Sequence, residues 1–289
     1  MILNASGCLD ALAAPEIAAQ LDIFVTKTVT PLPRGGNEPT RIAETDLGML
    51  NSIGLANPGI DAFVTDVLPE LAELEIPVWV SVGGFSAADY ADLCSRLDAY
   101  DDVATIELNV SCPNVAEPAN SVAEIVAAAR AATSKSLYAK LSPASGDITA
   151  VAEAAGAAGA DGLSLVNTIR GLALDATTLE PTLSTATGGL SGPALRPIAL
   201  AAVFGCFRAT GLPIVGMGGV ETGRHAIELI AAGATAVALG TSLFADPEAP
   251  ARIRSELELE AERLGFETPL AAHAAAHEEE GRRKLRKVA

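Results

Sequence analysis

The chain has 289 residues with 19 Lys and Arg against 36 Asp and Glu, a formal net charge of −17, which excludes a nucleic-acid binder whose affinity rests on neutralising phosphates. Its composition, 49% hydrophobic and only 4% aromatic, is that of an Ala-rich globular protein rather than a disordered one. No apolar run reaches the ~18 residues of a membrane span, and MILNASGCLD at the start lacks the basic and apolar regions of a secretory signal.

Short apolar runs alternate with Ala-rich amphipathic segments, the signature of a parallel sheet with helices outside it. Strands are predicted at 2–5, 23–27, 78–82, 104–109, 137–141, 162–166, 213–217 and 236–240, each followed by a helix, at about 11–20, 61–75, 86–98, 121–133, 147–158, 194–209, 222–232 and 247–264. Eight such units with no linker between them predict a single-domain α/β protein, a (β/α)8 TIM barrel over residues 1–265 with a helical, basic tail at 266–289. Five basic groups of that tail lie in GRRKLRKVA at its end.

Two connections far exceed the ~2 to 6 residues usual for such loops, 28–60 and 167–193. Both leave the C-terminal ends of strands, where barrels of this kind build their sites, and both are expected to cover a substrate. The polar strand ends converge on the same place: Ser6, Lys27 and Thr28, Ser81, Asn109 with Cys112 beyond it, Lys140, Asn167 and Thr168, Gly218 and Gly219, Gly240 and Thr241. Before the tail the lysines are Lys27, Lys135 and Lys140; two of them end strands, a position that suits a ligand better than a barrel-bottom salt bridge. Glycines after the seventh and eighth strands suit a phosphate held on backbone N–H groups. GMGGVETG does not fit G-x-G-x-x-G, so no dinucleotide fingerprint is present.

Cys8, Cys94, Cys112 and Cys206 show no CxxC spacing, which argues against disulfides, structural zinc or a four-Cys iron–sulfur cluster and for a reducing, cytoplasmic setting. His273 and His277 are spaced i, i+4 but lack further ligands, so a solvated helix face is expected and no metal site is assigned. With His225 early in the seventh helix, Cys112 is the best candidate base, since a thiol ionises near neutral pH when its neighbours favour the thiolate.

KTVTPLPRGGNEPTR, MLNSIGLANPG, IELNVSCPN, AKLSP, GADGLSLVNTIRG, TGGLSGPALRPIAL, GMGGV and AVALGTSLFADP, in this order, resemble class 1 dihydroorotate dehydrogenase, an FMN-containing (β/α)8 enzyme of pyrimidine synthesis. ASGC, VNTIRG and GGLSGPA resemble the catalytic subunit of the type 1B branch, whose partner carries FAD and a 2Fe–2S cluster and passes electrons to NAD; GGVETG is more similar to the fumarate-using type 1A branch. The resemblance implies Cys112 as the base that takes the C5 proton of dihydroorotate while hydride leaves C6 for the flavin. It implies FMN contacts from Ser6, Lys27, Thr28, Ser81, Asn109, Lys140 and Val166, with the phosphate on Gly192, Gly218, Gly219, Gly240 and Thr241. Orotate would be held by Lys27, Asn51, Asn109, Asn114, Asn167 and Thr168, and by the N–H groups of Ile53, Gly54 and Leu55. A homodimer or a heterotetramer is implied, with no nucleic acid and no membrane. The chain departs from the family in starting almost at its first strand, in the shorter segment after Asn114, and in the stretch after Pro247. Two other readings remain at this point: a different dihydropyrimidine oxidoreductase, whose motif usually reads SCPH where this chain has Asn114, and a flavin-free phosphate-binding barrel lyase or isomerase.

Overall fold

A computed structural model describes residues 1–110, 118–144 and 146–277. The expected strands form as β1 (Ile2–Asn4), β2 (Phe24–Val25), β5 (Val78–Val82), β6 (Val103–Asn109), β7 (Ser136–Leu141), β8 (Gly162–Leu165), β11 (Ile214–Met217) and β12 (Ala236–Leu239). They make one parallel sheet in the order β1-β12-β11-β8-β7-β6-β5-β2. A parallel bridge between Leu3 and Ile23 brings the two ends of that sheet together. Asn4, fully buried, completes the seam: its amide nitrogen donates to the Val25 carbonyl at 2.7 Å and its amide oxygen accepts from the Val25 N–H at 2.8 Å. A carboxamide carries a donor and an acceptor in one plane, so it replaces a peptide unit in the ladder.

VWVSV of β5 is buried along its whole length, as both faces of a barrel strand are covered. Trp79, the single tryptophan, packs inside the barrel with Leu3, Val25, Val215, Met217 and Ala238, its ring 4.6 Å from that of Tyr138. The alternate residues Val78, Val80 and Val82 face outward into the larger core beneath the helices. Those helices include α4 (Ala87–Asp98), started by a capping box of Ser86 and Asp89, α6 (Ile148–Ala157), capped by Asp147, and α8 (Gly223–Ala231), capped by Thr222. Each cap satisfies N–H groups that have no partner within the helix. Between α6 and α8, α7 (Arg196–Thr210) stops at Gly211 in a left-handed conformation.

Several of the expected elements differ, among them the helix expected at about 61–75, which runs as α2 (Gly59–Ala62), a π turn (Phe63–Val67) and α3 (Leu68–Ala72). The first helix shrinks to α1 (Pro15–Ala18). The long connections are also not simple coverings: β3 (Ile42–Thr45) and β4 (Gly48–Asn51) from the first pair with β9 (Ile169–Leu172) and β10 (Thr187–Ser191) from the second, in an antiparallel sheet of order β3-β4-β10-β9. Its central pairing sets Asn51 opposite Gly189 and Met49 opposite Ser191. Gly48 allows this approach, because its φ is +152° and a Cβ there would stand 1.9 Å from the Ser191 carbonyl oxygen.

Past α10 (Ala249–Arg263), His273 and His277 are half-buried and do not lie on a solvated helix face. His277 stacks on Phe204 and reaches the Ala232 carbonyl at 2.9 Å; His273 meets Phe207 edge-on and reaches the Gly233 carbonyl at 3.0 Å. The 3-10 turns that carry them bend the chain back over the ends of α7 and α8, so the i, i+4 spacing serves aromatic packing rather than a helix face.

Candidate active site

The C-terminal strand ends and the antiparallel sheet enclose a cleft of about 540 Å³, within the range that holds small ligands and cofactors. At its centre lies a continuous hydrogen-bond chain. Ser6 Oγ donates to the Thr26 carbonyl at 2.9 Å and lies 3.3 Å from Thr28 Oγ1, which is 3.1 Å from both Ser81 Oγ and Asn109 Nδ2. Because the Ser6 hydrogen is already used, Thr28 donates to Ser6 and accepts from Ser81 and Asn109. Asn109 Oδ1 accepts from Asn167 Nδ2 at 3.2 Å, and Asn167 Oδ1 accepts from the Thr168 N–H at 2.8 Å. Both carboxamides are thereby oriented, and each keeps a second N–H for a ligand. Tyr90 supports the chain from α4, its hydroxyl donating to the Asn109 carbonyl at 2.7 Å.

Ser6, Thr28, Asn109, Asn167, Thr168 and Val166 all line the cleft. Ser81 does not: it is fully buried behind Thr28 and acts as that residue's support. Asn51 enters from β4, its amide held by the Gly189 carbonyl at 3.3 Å. The carbonyls of Ile53, Gly54 and Leu55 are taken by Asn37 N–H, Arg34 Nε and Asn57 Nδ2 at 3.0, 3.2 and 2.7 Å. Their N–H groups donate to no described residue, and all three residues line the cleft. A row of backbone donors of this kind suits an anion.

Lys27 and Lys140 reach the same cleft. Burial pulls the Lys27 pKa below its ordinary value, against the opposing pull of the Cys8 sulfur, and the neighbouring Lys140 lowers it further. No acidic group pairs with Lys27 among the described residues, so an anionic ligand is its natural counter-charge. At the other end, Gly218 and Gly219 follow β11, Gly240 and Thr241 follow β12, and Gly192 precedes α7. Gly219 has a φ of +72°, and a Cβ would lie 2.8 Å from the Gly192 carbonyl oxygen, so only glycine fits. Thr241 Oγ1 donates to Ser191 Oγ at 2.8 Å, and the Ser242 hydroxyl beside it is buried without a partner among the described residues. A bare, glycine-lined backbone next to an unanswered hydroxyl fits a phosphate.

Cys112 and Asn114 lie outside the described residues. The sequence reading passed over Cys8, Arg34, Asn37, Ser191 and Ser242, all of which line the cleft. Cys8 carried a signal, since it closes the ASGC run after β1; burial raises its thiol pKa, with the two lysines acting in the other direction. Arg34 lies over the Phe85 ring at 5.1 Å, a contact between distant segments that no local pattern announces.

Strand ends, loop sheet and glycine cradle together define a (β/α)8 barrel with a cleft of lysines, carboxamides and glycines at the C-terminal face. The family described as dihydroorotate dehydrogenase matches residues 1–260, and the chain belongs to that family. It is 45% identical over 270 residues to the "Dihydroorotate dehydrogenase B (NAD(+)), catalytic subunit" of Desulforudis audaxviator, covering 89% of this chain and 87% of that protein. Its counterpart of the same description from Trichlorobacter lovleyi is 45% identical over 246 residues, covering 83% and 81%. Among solved structures, that of DHODH from Eimeria tenella in complex with ferulenol superposes with a TM-score of 0.79 at 23% identity, covering 96% of this chain and 85% of that one, a likeness of fold.

Proposed function

We propose that the protein oxidises (S)-dihydroorotate to orotate, a step of pyrimidine biosynthesis, with FMN as its cofactor. The observation that carries this reading is the convergence of buried Lys140 and half-buried Lys27, three fixed carboxamides and a row of open N–H groups beside a glycine-lined cradle. When bound, FMN supplies the acceptor for the hydride that leaves C6. Gly192, Gly218, Gly219, Gly240 and Thr241 would hold its phosphate, and Lys140, Thr28 and Ser6 would face its ring system. The N–H groups of Ile53, Gly54 and Leu55 and the Lys27 ammonium would receive the substrate carboxylate. Asn51, Asn109 and Asn167 answer the alternating N–H and C=O groups of the pyrimidine ring, because a carboxamide offers both partners. The Cys112 thiolate takes the C5 proton, and with the departure of hydride from C6 the C5–C6 double bond of orotate forms.

That the relatives are described as the catalytic subunit of an NAD(+) enzyme supports a partner electron-transfer subunit; by the family resemblance it would carry FAD and a 2Fe–2S cluster, the assembly being a homodimer or a heterotetramer. No helix among the described residues is long and apolar enough to cross a membrane. Purified protein should be yellow with about one FMN per chain, and dihydroorotate should bleach it without oxygen. A colourless preparation that FMN cannot reconstitute would refute the reading, and bleaching by dihydrouracil alone would transfer it to another dihydropyrimidine. Cys112→Ala should keep the flavin but slow its reduction by on the order of 10²-fold or more; a normal rate on rapid mixing removes the thiol as base.

A further inference from the structure

Beneath the cleft lies a charged group that the reaction above does not use. Glu107 sits on β6 two residues before Asn109, so it shares the inward face of that strand one layer deeper in the barrel. The strand register places Asn109 beside Lys140 and Glu107 beside Tyr138. The Glu107 side chain is 2% exposed and the Lys140 side chain 6%, with 3.6 Å between Oε1 and Nζ. That oxygen accepts no hydrogen bond among the described residues. A carboxylate this deep, between Ser81 and Tyr138 of the flanking strands, is held only against a strong counter-charge, because burying an unpaired charge is prohibitive. Lys140 is that counter-charge, yet the separation is longer than a hydrogen bond, and the lysine also lines the cleft above. The ammonium thus stands between an acid below and a ligand site above. Cys8 feels Glu107 and both lysines, and Lys27 feels Lys140 and Cys8, so the field of Glu107 and Lys140 extends to the groups at the mouth of β1 and β2.

We propose that Glu107 is a positioning residue acting through Lys140: its carboxylate fixes the ammonium at the floor of the cleft and offsets its charge, and so sets how strongly the site favours the reduced over the oxidised form of a bound flavin. The inference rests on the FMN reading above. A fully opposed lysine would do little for the negative charge that a flavin gains on reduction, and an unopposed one would hold the reduced cofactor too tightly to give up its electrons. The intermediate distance leaves part of the lysine's field for the ring.

The test is spectroelectrochemical titration of the FMN-loaded protein as wild type, Glu107→Gln, Glu107→Asp, Lys140→Met and the Glu107→Gln/Lys140→Met pair, all at saturating FMN. Removing the negative charge should favour the reduced flavin by roughly tenfold, a rise of about 30 mV for a two-electron couple. Glu107→Asp, which keeps the charge but draws it back from the lysine, should move the potential the same way by less; it decides the matter if the glutamine variant does not fold. In the Lys140→Met background the Glu107→Gln substitution should add nothing. An unmoved or lowered potential in Glu107→Gln, or an equal shift without Lys140, would overturn the proposal. If the wild type takes up no FMN, the cofactor reading falls and this inference falls with it, whereas a yellow wild type with variants of unchanged potential sinks this inference alone.

Discussion

Replacing Thr28 by valine keeps the shape of a side chain that is 3% exposed but deletes the oxygen to which Ser6, Ser81 and Asn109 all turn. Two donors then lose their acceptor, the buried Ser81 hydroxyl and one N–H of the half-buried Asn109. At roughly 1 to 2 kcal/mol for each unsatisfied group, Thr28→Val should destabilise the protein by about 2 to 4 kcal/mol, a large share of the ~5 to 15 kcal/mol typical of a folded protein. For a chain of this size the melting temperature should fall by roughly 5 to 10 °C. Trp79 provides the probe, since the single tryptophan packs within the barrel beside these strands. Urea titration of its fluorescence in flavin-free protein gives the free-energy difference directly. Thr28→Ser, which keeps the oxygen, should lose about 1 kcal/mol or less. The released Asn109 amide should also weaken orotate binding by about tenfold, which is ~1.4 kcal/mol. A valine variant within ~0.5 kcal/mol of wild type, or a serine variant that is equally damaged, would mean that the hydroxyl is not the node of the chain.

Asn4→Leu should leave both the N–H and the C=O of Val25 without partners and lower stability by about 2 to 5 kcal/mol, read as a shifted urea midpoint; Asn4→Gln should not restore it, because the longer amide cannot keep the in-plane geometry. Gly48→Ala should drive β4 away from β10, seen as faster hydrogen exchange at 48–51 and 187–191 and weaker orotate binding, while the Trp79 emission is unchanged. Orotate affinity should be level below the depressed pKa of Lys27 and fall about tenfold per pH unit above it, with an onset below the ordinary 10.5; Lys27→Arg should remove that onset. The same depression makes the unfolded chain bind more protons than the folded one between the folded value and 10.5, so the Lys27 contribution to stability rises with pH across that window. Burial raises the thiols of Cys94 and Cys206 to about 12, so neither should react with a disulfide reagent at pH 8 until the protein is unfolded.

The barrel strands were legible to within a residue or two because a parallel strand buried on both faces reads as an apolar run, as VWVSV does. The cleft was legible because strand ends converge at one face whatever the details of packing. What escaped is what depends on partners far away in the chain. β3, β4, β9 and β10 are half-exposed runs such as IAET and TGGLS, with too little apolar alternation to stand out from loop, and pairing between the two connections stabilises them. Ser81 looked like a contact residue from its place near a strand end; only the packing of Thr28 over it puts it behind the wall. The histidines illustrate the same limit, since Phe204 and Phe207, which receive them, are some 70 residues earlier. Glu107 was visible within IELN, but its role emerges only with the strand register that sets it under Lys140.

The sheet woven from the two long connections binds their fates together. Asn51 hangs from one loop and Asn167 and Thr168 begin the other, while β4 and β10 are paired across some 140 residues of chain. Each loop by itself is only a two-stranded pair, β3 with β4 and β9 with β10, which is marginal until β4 pairs with β10. A loosened first loop would release Gly189, whose close approach to Thr168 shapes the opposite wall. The two sides of the substrate site therefore order and disorder as one cooperative unit, so opening need not be divided between two independent flaps. For an engineer, a new specificity cannot be grafted by exchanging one connection: both have to be transplanted, with Gly48 and its facing Ser191 retained, or the pocket loses its roof.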